Sequence, residues 1–402
     1  MRRPQSIRSA VAPAVRFAAH AVVGAAALAA ILLVVVPVAR IAAALRQRRG
    51  AQVRVLRAPI PIISIRFSSL ADRLQGYRSD TLVYDVYSIN ARDDYDHLLD
   101  LPRRSPLVRL LGPYAVLAWA LARYDILVLF FDGGVLAFTP WWRAELPLLK
   151  LGGKRIVAYP YGGDARLPSV TRTYGAWHAY TDVPPGEEDR DERQIRSRLA
   201  AFGRWSDAIL GCADLVDALP RVDGIFQYPI DLSAWSPVEE VEDDVVTVAH
   251  SPNHRHYKGT RFLIAAVERL RAEGVPVELV LVEGLPNAEA RRIYASADVI
   301  ADQFLIGAYA QFAIEGMALG KPVLCFLNER FAPYHPEWQE CPIVNASPDT
   351  LADALRTVAT DAALRRRLGR EGVDYVHRVH SLEAVGRDLD LVYRRVLGQR
   401  AR

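Results

Sequence analysis

Past residue 50 the chain alternates short apolar runs with stretches of helical periodicity. In the first half, runs at 60–67, 81–87, 126–131, 155–159 and 208–212 predict strands. The second half repeats the design, with strands predicted at 245–250, 277–282, 298–301 and 322–326 and helical stretches such as 260–272 and 309–319 between them. Strands that alternate with helices imply parallel sheets joined by helical crossovers. A chain of 402 residues has room for two cores, so two doubly wound domains are expected. Between them, 236–244 is polar and acidic after a proline and reads as an exposed linker. The last stretch places Leu382, Val385, Leu389, Val392 and Val396 at helical spacing, so 381–397 is expected to pack on a domain.

The N-terminal segment follows a different pattern. From Ala21 to Ala39, 19 residues carry no charge and no amide side chain, close to the ~20 that a helix needs to cross the hydrocarbon of a bilayer. Arg2, Arg3, Arg8 and Arg16 precede it and Arg40, Arg46, Arg48 and Arg49 follow, so flanking charge favours neither orientation. A retained anchor is expected, either spanning the bilayer or lying flat in its interface. The alternative is a signal peptide processed near Ala42, Ala43 and Ala44. A second apolar run, 113–131, is broken by Arg123 and Asp125 and is not expected to span.

This end also accounts for the formal charge of +4. The first 50 residues hold eight Arg and no acid, which leaves 42 basic against 46 acidic groups in the remainder. A body without a basic surplus argues against nucleic acid as a partner. Cys212, Cys325 and Cys341 are far apart and odd in number, with no C-x-x-C pair, which fits a reducing compartment.

In open α/β sheets ligands bind beyond the carboxyl ends of the strands. After 245–250 stands Ser251-Pro-Asn-His-Arg-His-Tyr-Lys-Gly-Thr260, which puts Arg255 and Lys258 beside Ser251 and Gly259 where a helix begins. Such a loop can neutralise a diphosphate with side-chain charge and backbone N–H groups, although a solvated loop has the same composition. Further on runs Asp302-Gln-Phe-Leu-Ile-Gly-Ala-Tyr-Ala-Gln-Phe-Ala-Ile-Glu315. Gly307 and Ala308 let the chain approach a ligand closely just before the helix that begins near Tyr309. Glu315, among Ala313, Ile314 and Met317, needs a partner. Ribose hydroxyls would serve, and so would a cap or salt bridge within the core.

These two segments resemble the C-terminal domain of family 4 glycosyltransferases ("group 1"), in which a Lys-Gly loop and a Glu-x-Met-Ala-x-Gly-x-Pro-Val helix hold the nucleotide. The likeness covers 245–323 and extends weakly over the first half. It implies an α/β chain of GT-B fold, with two doubly wound Rossmann-like domains facing a cleft, here preceded by an N-terminal hydrophobic membrane helix. The implied division is an anchor with basic flanks at 1–50, an acceptor domain at 51–237, a nucleotide-sugar domain at 238–380 and a returning helix at 381–402. The resemblance places Lys258 and Arg255 on the donor diphosphate and Glu315 on the ribose. Ser251, Gly259, Asp302, Gln303, Gly307, Ala308 and Tyr309 would surround the donor. The family pattern has a second glutamate where this chain has Gly307. The group that touches the transferred sugar is therefore open, with Asp302 or Gln303 as substitutes, and so is a retaining outcome.

The first half offers Ser68-Ser-Leu, Asp132-Gly-Gly134 and Tyr161-Gly-Gly-Asp-Ala-Arg166 as loops after strands. The last of these is similar to the family's His-Gly-x-Asp-x-Arg. Asp132 and Asp164 are candidates to orient the acceptor or act as base, and equally to cap a helix or hold a turn. Asp94-Tyr-Asp96 spells a metal-binding D-x-D but lies in a charged stretch, so no metal is expected there. Arg103, Arg104 and Arg109 beside Leu107, Leu110 and Leu111 suit anionic headgroups or a solvated helix face. The expected activity is transfer of a sugar from a nucleotide-diphosphate donor to a lipid-linked or envelope glycan acceptor. It would be retaining, need no metal or other cofactor, and proceed on the cytoplasmic face of a bacterial inner membrane. A GT-B-shaped sugar-nucleotide-binding protein that has lost catalysis, and an inverting transferase or epimerase on the same fold, are the alternatives.

Overall fold

The computed structural model of the protein describes residues 20–399 apart from 88–89, 185, 187–189 and 239–243. The four most N-terminal arginines and most of the acidic linker therefore lie outside the described residues. Helix α1 (His20–Arg48) is long and apolar enough, by length and composition, to cross a membrane. Strand β1 (Arg54–Ala58), helix α2 (Ile63–Leu74) and strands β2 (Arg78–Val83) and β3 (His97–Leu98) follow. After them come α3 (Pro106–Arg123), β4 (Ile126–Leu129), α4 (Trp142–Leu151), β5 (Arg155–Ala158), α5 (Glu192–Trp205), β6 (Ala208–Gly211) and β7 (Gly224–Ile225). These seven strands form one parallel sheet in the order β3-β2-β1-β4-β5-β6-β7.

The second sheet has β8 (Val246–His250), β9 (Val277–Leu281), β10 (Val299–Ala301), β11 (Val323–Cys325) and β12 (Val344–Asn345) in the order β12-β11-β10-β8-β9, again parallel throughout. Its helices are α6 (Thr260–Ala272), α7 (Asn287–Ser296), α8 (Gln311–Ala318), α9 (Leu351–Thr360) and α10 (Ala362–Val379). Both strand orders are doubly wound, so each sheet has a crevice where the winding reverses, between β1 and β4 and between β8 and β10. The loops that leave the carboxyl ends of the two sheets meet. Arg330 Nε donates to Asp217 Oδ2 at 2.6 Å, and His335 lies 3.3 Å from the Ala213 carbonyl.

Two expectations of the first half fail. The apolar run at 60–67 is not a strand, because β1 lies earlier, at Arg54–Ala58, and Ser68 and Ser69 sit inside helix α2 instead of in a loop. The pattern misled because β1 contains Arg57, which reads as a surface residue and is fully buried. Its guanidinium donates to both oxygens of Asp72, at 2.9 and 3.0 Å, and to Tyr393 Oη at 2.6 Å. Ser79 Oγ adds a third bond to the same carboxylate at 2.7 Å. Burial alone would ease the proton off Arg57, but the Asp72 charge outweighs it and holds the group cationic.

Tyr393 belongs to α11 (Leu382–Leu397), the last helix, which starts from a Ser381 cap beside the second domain and packs back on α2 of the first. Tyr77 Oη bonds Asp390 at 2.7 Å on the same helix. The chain thus crosses between the domains twice, and a buried ion pair fixes its return. Arg57→Leu strands a buried Asp72 charge and is expected to cost ~3 to 5 kcal/mol in urea unfolding. Tyr393→Phe should cost ~1 to 2 kcal/mol. The Arg57→Leu/Asp72→Leu double variant should recover most of the loss, and failure to recover any would mean that packing rather than charge holds this joint.

Candidate functional site

The candidate residues of the second half gather at the β8/β10 crevice. The one-turn helix Arg255–Lys258 ends at Gly259, whose φ of +75° is the left-handed conformation that releases the chain into α6. Below it, His250 is buried with one ring nitrogen 2.7 Å from the Ala301 carbonyl and the other 2.8 Å from Thr260 Oγ1. Burial pushes its pKa down to about 4, so it remains neutral and ties the two loops together.

Asp302, fully buried at the end of β10, is the hub. Its Oδ1 accepts from Lys258 Nζ at 2.9 Å and its Oδ2 from the Ala310 backbone N–H at 2.9 Å, just before α8. One carboxylate thereby aims the ammonium group and the helix N-terminus at the same space. Gly307, at φ +85°, makes the turn between them. A Cβ there would stand 2.9 Å from the Asn328 Cβ, so the missing second glutamate has no room in this conformation.

Along this crevice run polar atoms short of protein partners. Gln303 donates through Nε2 to the Ala308 carbonyl, while its buried Oε1 is unpaired. Both polar atoms of Gln311 are buried as well, and its amide meets no protein group but the Glu315 carboxyl. One turn on, Glu315 is buried, and its pKa is raised to about 8 by burial and then by the Asp302 charge. No ion pair to Glu315 exists among the described residues. Gln311 had no sequence signal, since an amide at the start of a helix reads as a surface residue.

Other expected donor residues stand differently. Arg255 is exposed and committed to Glu283, with Nε–Oε1 at 2.8 Å, so Lys258 is the cation turned into the crevice. Ser251 is satisfied by the Val282 carbonyl at 3.0 Å and by Tyr294 Oη at 2.8 Å. Ala308 is fully buried and offers its carbonyl to Gln303. Tyr309 does not face the crevice. Its hydroxyl lies 2.9 Å from both Tyr375 Oη and His380 Nε2 in the core, a correction that follows from the turn at Gly307 directing residue 309 inward.

In the first sheet, Asp132 follows β4 beside the β1/β4 crevice. Its Oδ1 accepts from Arg190 at 2.5 Å and its Oδ2 from the Tyr161 hydroxyl, and Arg190 also reaches Tyr161 Oη at 3.0 Å. Asp164 is fully buried and receives three backbone N–H groups, from Phe131, Tyr161 and Gly162, at 2.9 to 3.1 Å. It holds the turns that carry Asp132 and Tyr161 instead of facing a ligand. Burial and the Asp132 charge push its pKa up to about 7 against those three bonds. Glu145 on α4 takes the Val135 and Leu136 N–H groups at 2.7 and 2.8 Å. A Cβ on Gly134 would stand 2.0 Å from Glu145 Oε1, so a side chain there would push the carboxylate off its two N–H donors.

Asp94 and Asp96 point elsewhere: Asp94 pairs with Arg66, and Asp96 with Arg73 and the Thr81 N–H at 2.8 Å. A cavity of about 650 Å³ opens at the opposite, amino ends of the second sheet, among Pro237, Asp298, Lys321 and Arg370. It is remote from both crevices.

No family model matches the chain, and no curated protein matches it in sequence. Solved structures do match in fold. Sucrose-phosphate synthase from Thermosynechococcus elongatus superposes with a TM-score of 0.58 at 16% identity, over 86% of this chain and 99% of that one. An alpha-glucosyltransferase in complex with UDP and a DNA 13-mer gives 0.55 at 10% identity, over 85% and 99%. WaaG, a glycosyltransferase involved in lipopolysaccharide biosynthesis, gives 0.51 at 12%, over 85% and 99%. The two parallel α/β domains are therefore a GT-B fold.

A buried carboxyl without an ion-pair partner should reveal itself in stability. Burial and the Asp302 charge raise the folded pKa of Glu315 from the ordinary 4.5 to about 8. Stability is therefore full below pH ~4.5 and lost as pH rises through ~8. Glu315→Gln removes that loss. The variant should match wild type in urea unfolding at pH 4 and exceed it at pH 9 by on the order of 2 to 5 kcal/mol. Equal stability at both pH values would mean that Glu315 is paired.

Proposed function

We propose that the protein is a glycosyltransferase that moves a sugar from a nucleoside-diphosphate donor, bound at the β8/β10 crevice, to an acceptor held on the first domain. The observation that carries this reading is a set of buried polar groups short of partners, the Gln303 Oε1, the Gln311 amide and Glu315, beside the Lys258–Asp302 pair and the start of α8. Hydroxyl donors on a ribose would satisfy the acidic and amide oxygens, and a diphosphate would meet the ammonium group and the helix N-terminus. The UDP complex among the structures of like fold supports a nucleotide donor.

In this reading charge builds on the departing diphosphate as the sugar–oxygen bond breaks, and Lys258, held by Asp302, stabilises it without a metal ion. Asp132, steadied by Arg190 and Tyr161, is the first-domain carboxylate placed to orient an acceptor hydroxyl or accept its proton. Because Gly307 replaces the second glutamate, the stereochemical outcome rests on the acceptor side, and the anomeric configuration of the product distinguishes a retaining from an inverting enzyme.

Helix α1 supplies the link to a membrane. Its inward stripe, Gly24, Leu28, Ile31, Val35, Ala39 and Arg46, packs on the first domain along its whole length. His20 and Ala21 lend their carbonyls to Tyr114 Oη at 3.3 Å and Trp141 Nε1 at 3.1 Å, while Arg46 Nη2 meets Asp125 at 2.8 Å. The outward face, with Val22, Leu33, Val34, Val38 and Ile41, is exposed and apolar. A helix clasped at both ends by a charged domain cannot thread a ~30 Å hydrocarbon layer without taking that domain along. It therefore serves as an anchor lying flat in the interface, on the cytoplasmic side where nucleotide sugars are found. WaaG, named for lipopolysaccharide biosynthesis, supports an envelope glycan or lipid-linked acceptor.

Two experiments test this reading. Lys258→Gln keeps a hydrogen bond to Asp302 but removes the charge, so it should lower turnover by ~10²-fold with donor affinity little changed. Glu315→Gln should weaken donor binding by ~10-fold or more, read by calorimetry. EDTA should leave wild-type turnover unchanged. If both variants bind and turn over a nucleotide sugar like wild type, this crevice is not the donor site. For the anchor, His20→Cys and Gln47→Cys should both react with an impermeant thiol reagent from the cytoplasmic side alone in oriented vesicles. Labelling from opposite sides would establish a span.

A further inference from the structure

Between the Asp132 loop and the N-terminal end of α1 lies a cluster of arginines that the donor reading does not use. The Arg143 and Arg198 guanidinium carbons stand 4.4 and 5.2 Å from the centroid of the same Trp142 ring. Arg198 Nη1 comes within 3.2 Å of where a Cβ on Gly133 would be, so it lies directly against the loop that carries Asp132. Arg190 completes the group from the other side of Asp132.

The charges here do not balance. Arg190 has Asp132, but among the described residues no carboxylate is within ion-pair distance of Arg143 or Arg198. Arg143 donates to Ser197 Oγ at 2.6 Å, and Arg198 reaches only the Ala137 carbonyl at 3.4 Å. Arg198 is half-buried, and burial lowers its hold on its proton; the Asp132 charge works against that, and the repulsion of Arg190 and Arg143 adds to it. Two guanidinium groups sharing one aromatic ring, with no carboxylate in ion-pair contact, form a site for an anion with several oxygens.

The surroundings indicate where that anion comes from. Phe138, on the same loop, is 73% exposed. Trp141, next to Trp142, bonds the carbonyl of Ala21, and Val22 beside it is exposed on α1. Arginines that flank an apolar rim continuous with a membrane-lying helix suit a phosphate whose remaining substituent is hydrocarbon.

We infer that Arg143 and Arg198, over Trp142, bind the phosphate of a membrane-resident lipid that carries the acceptor, with its chain leaving past Phe138 and Val22 and its head directed at Asp132. This deepens the acceptor side of the proposed transfer and rests on that reading for the word acceptor, but the phosphate site itself is testable without a donor.

The full chain, reconstituted in phosphatidylcholine nanodiscs containing a small fraction of polyprenyl phosphate, should bind that lipid saturably, as read from the shift and broadening of its ³¹P resonance. Arg143→Gln/Arg198→Gln should weaken binding by about tenfold or more, with an unchanged melting temperature. Arg193→Gln, an exposed arginine on the same helix α5, should bind like wild type. Unchanged binding in the double variant overturns the site. Equal binding of phosphatidylglycerol overturns the acceptor lipid in favour of a general headgroup contact, and equally tight inorganic phosphate overturns the lipid in favour of a soluble anion. Because no nucleotide sugar is present, a protein that passes this test yet transfers no sugar refutes the proposed activity and leaves the phosphate site standing.

Discussion

The buried pair of Arg57 and Asp72 is the joint on which the arrangement of the two domains depends. A charged group taken out of water is tolerated only when its partner is fixed and most of its remaining hydrogen-bonding positions are filled. Here Asp72 on α2 and Tyr393 on the last helix meet one guanidinium on β1, and Ser79 on β2 bonds the Asp72 carboxylate. The first strand of the first domain is thereby bound to the last helix of the chain, which has come from the second domain. With Arg330–Asp217 across the facing loops, that return keeps the carboxyl ends of both sheets turned toward one another.

A second buried carboxylate organises the crevice itself. Asp302 sets Lys258 and the first turn of α8 in one orientation, and Gly307 adopts the positive φ that the turn between them requires. The same turn removes the space for a side chain at 307 and sends Tyr309 into the core. The departure from the two-glutamate pattern is thus part of the backbone geometry and not a free substitution. What the fold leaves unsatisfied is then informative. The Gln303 and Gln311 amide atoms and the Glu315 carboxyl cost stability in the free protein, a cost that a ligand bearing hydroxyl groups would offset.

On the opposite domain the logic is reversed. Asp164 and Glu145 spend their oxygens on backbone N–H groups to shape the Asp132-Gly-Gly134 loop, and both are pushed up to about 7 by burial. They are positioning residues, and Asp132, with its hydroxyl and guanidinium partners, is the group presented to the crevice. Arg143 and Arg198 extend that surface toward α1, so an exposed apolar helix face, two arginines on one ring and a candidate acceptor carboxylate follow one another along one edge.

The sequence by itself determined the two parallel α/β halves, seven of the nine strands from 126 onward to within a residue or two (the two-residue strands β7 and β12 were too short to carry a pattern), the 260–272 and 382–397 helices and the apolar N-terminal helix. Each of these follows from local periodicity, in which the burial of apolar side chains is the dominant energy. The Lys-Gly loop and the segment from Asp302 to Glu315 were legible for the same reason: they stand directly after strands whose ends the periodicity marks. Only the tertiary structure decided that Arg57 lies inside, which moved β1 from 60–67 to 54–58. It likewise decided that Arg255 is spent on Glu283, that Tyr309 turns inward, that the Gln311 amide is buried, and that Arg143 and Arg198 share a ring. Each of those outcomes depends on segments that are distant along the chain. The environment of a polar side chain is set by what folds against it, and no local pattern carries that information.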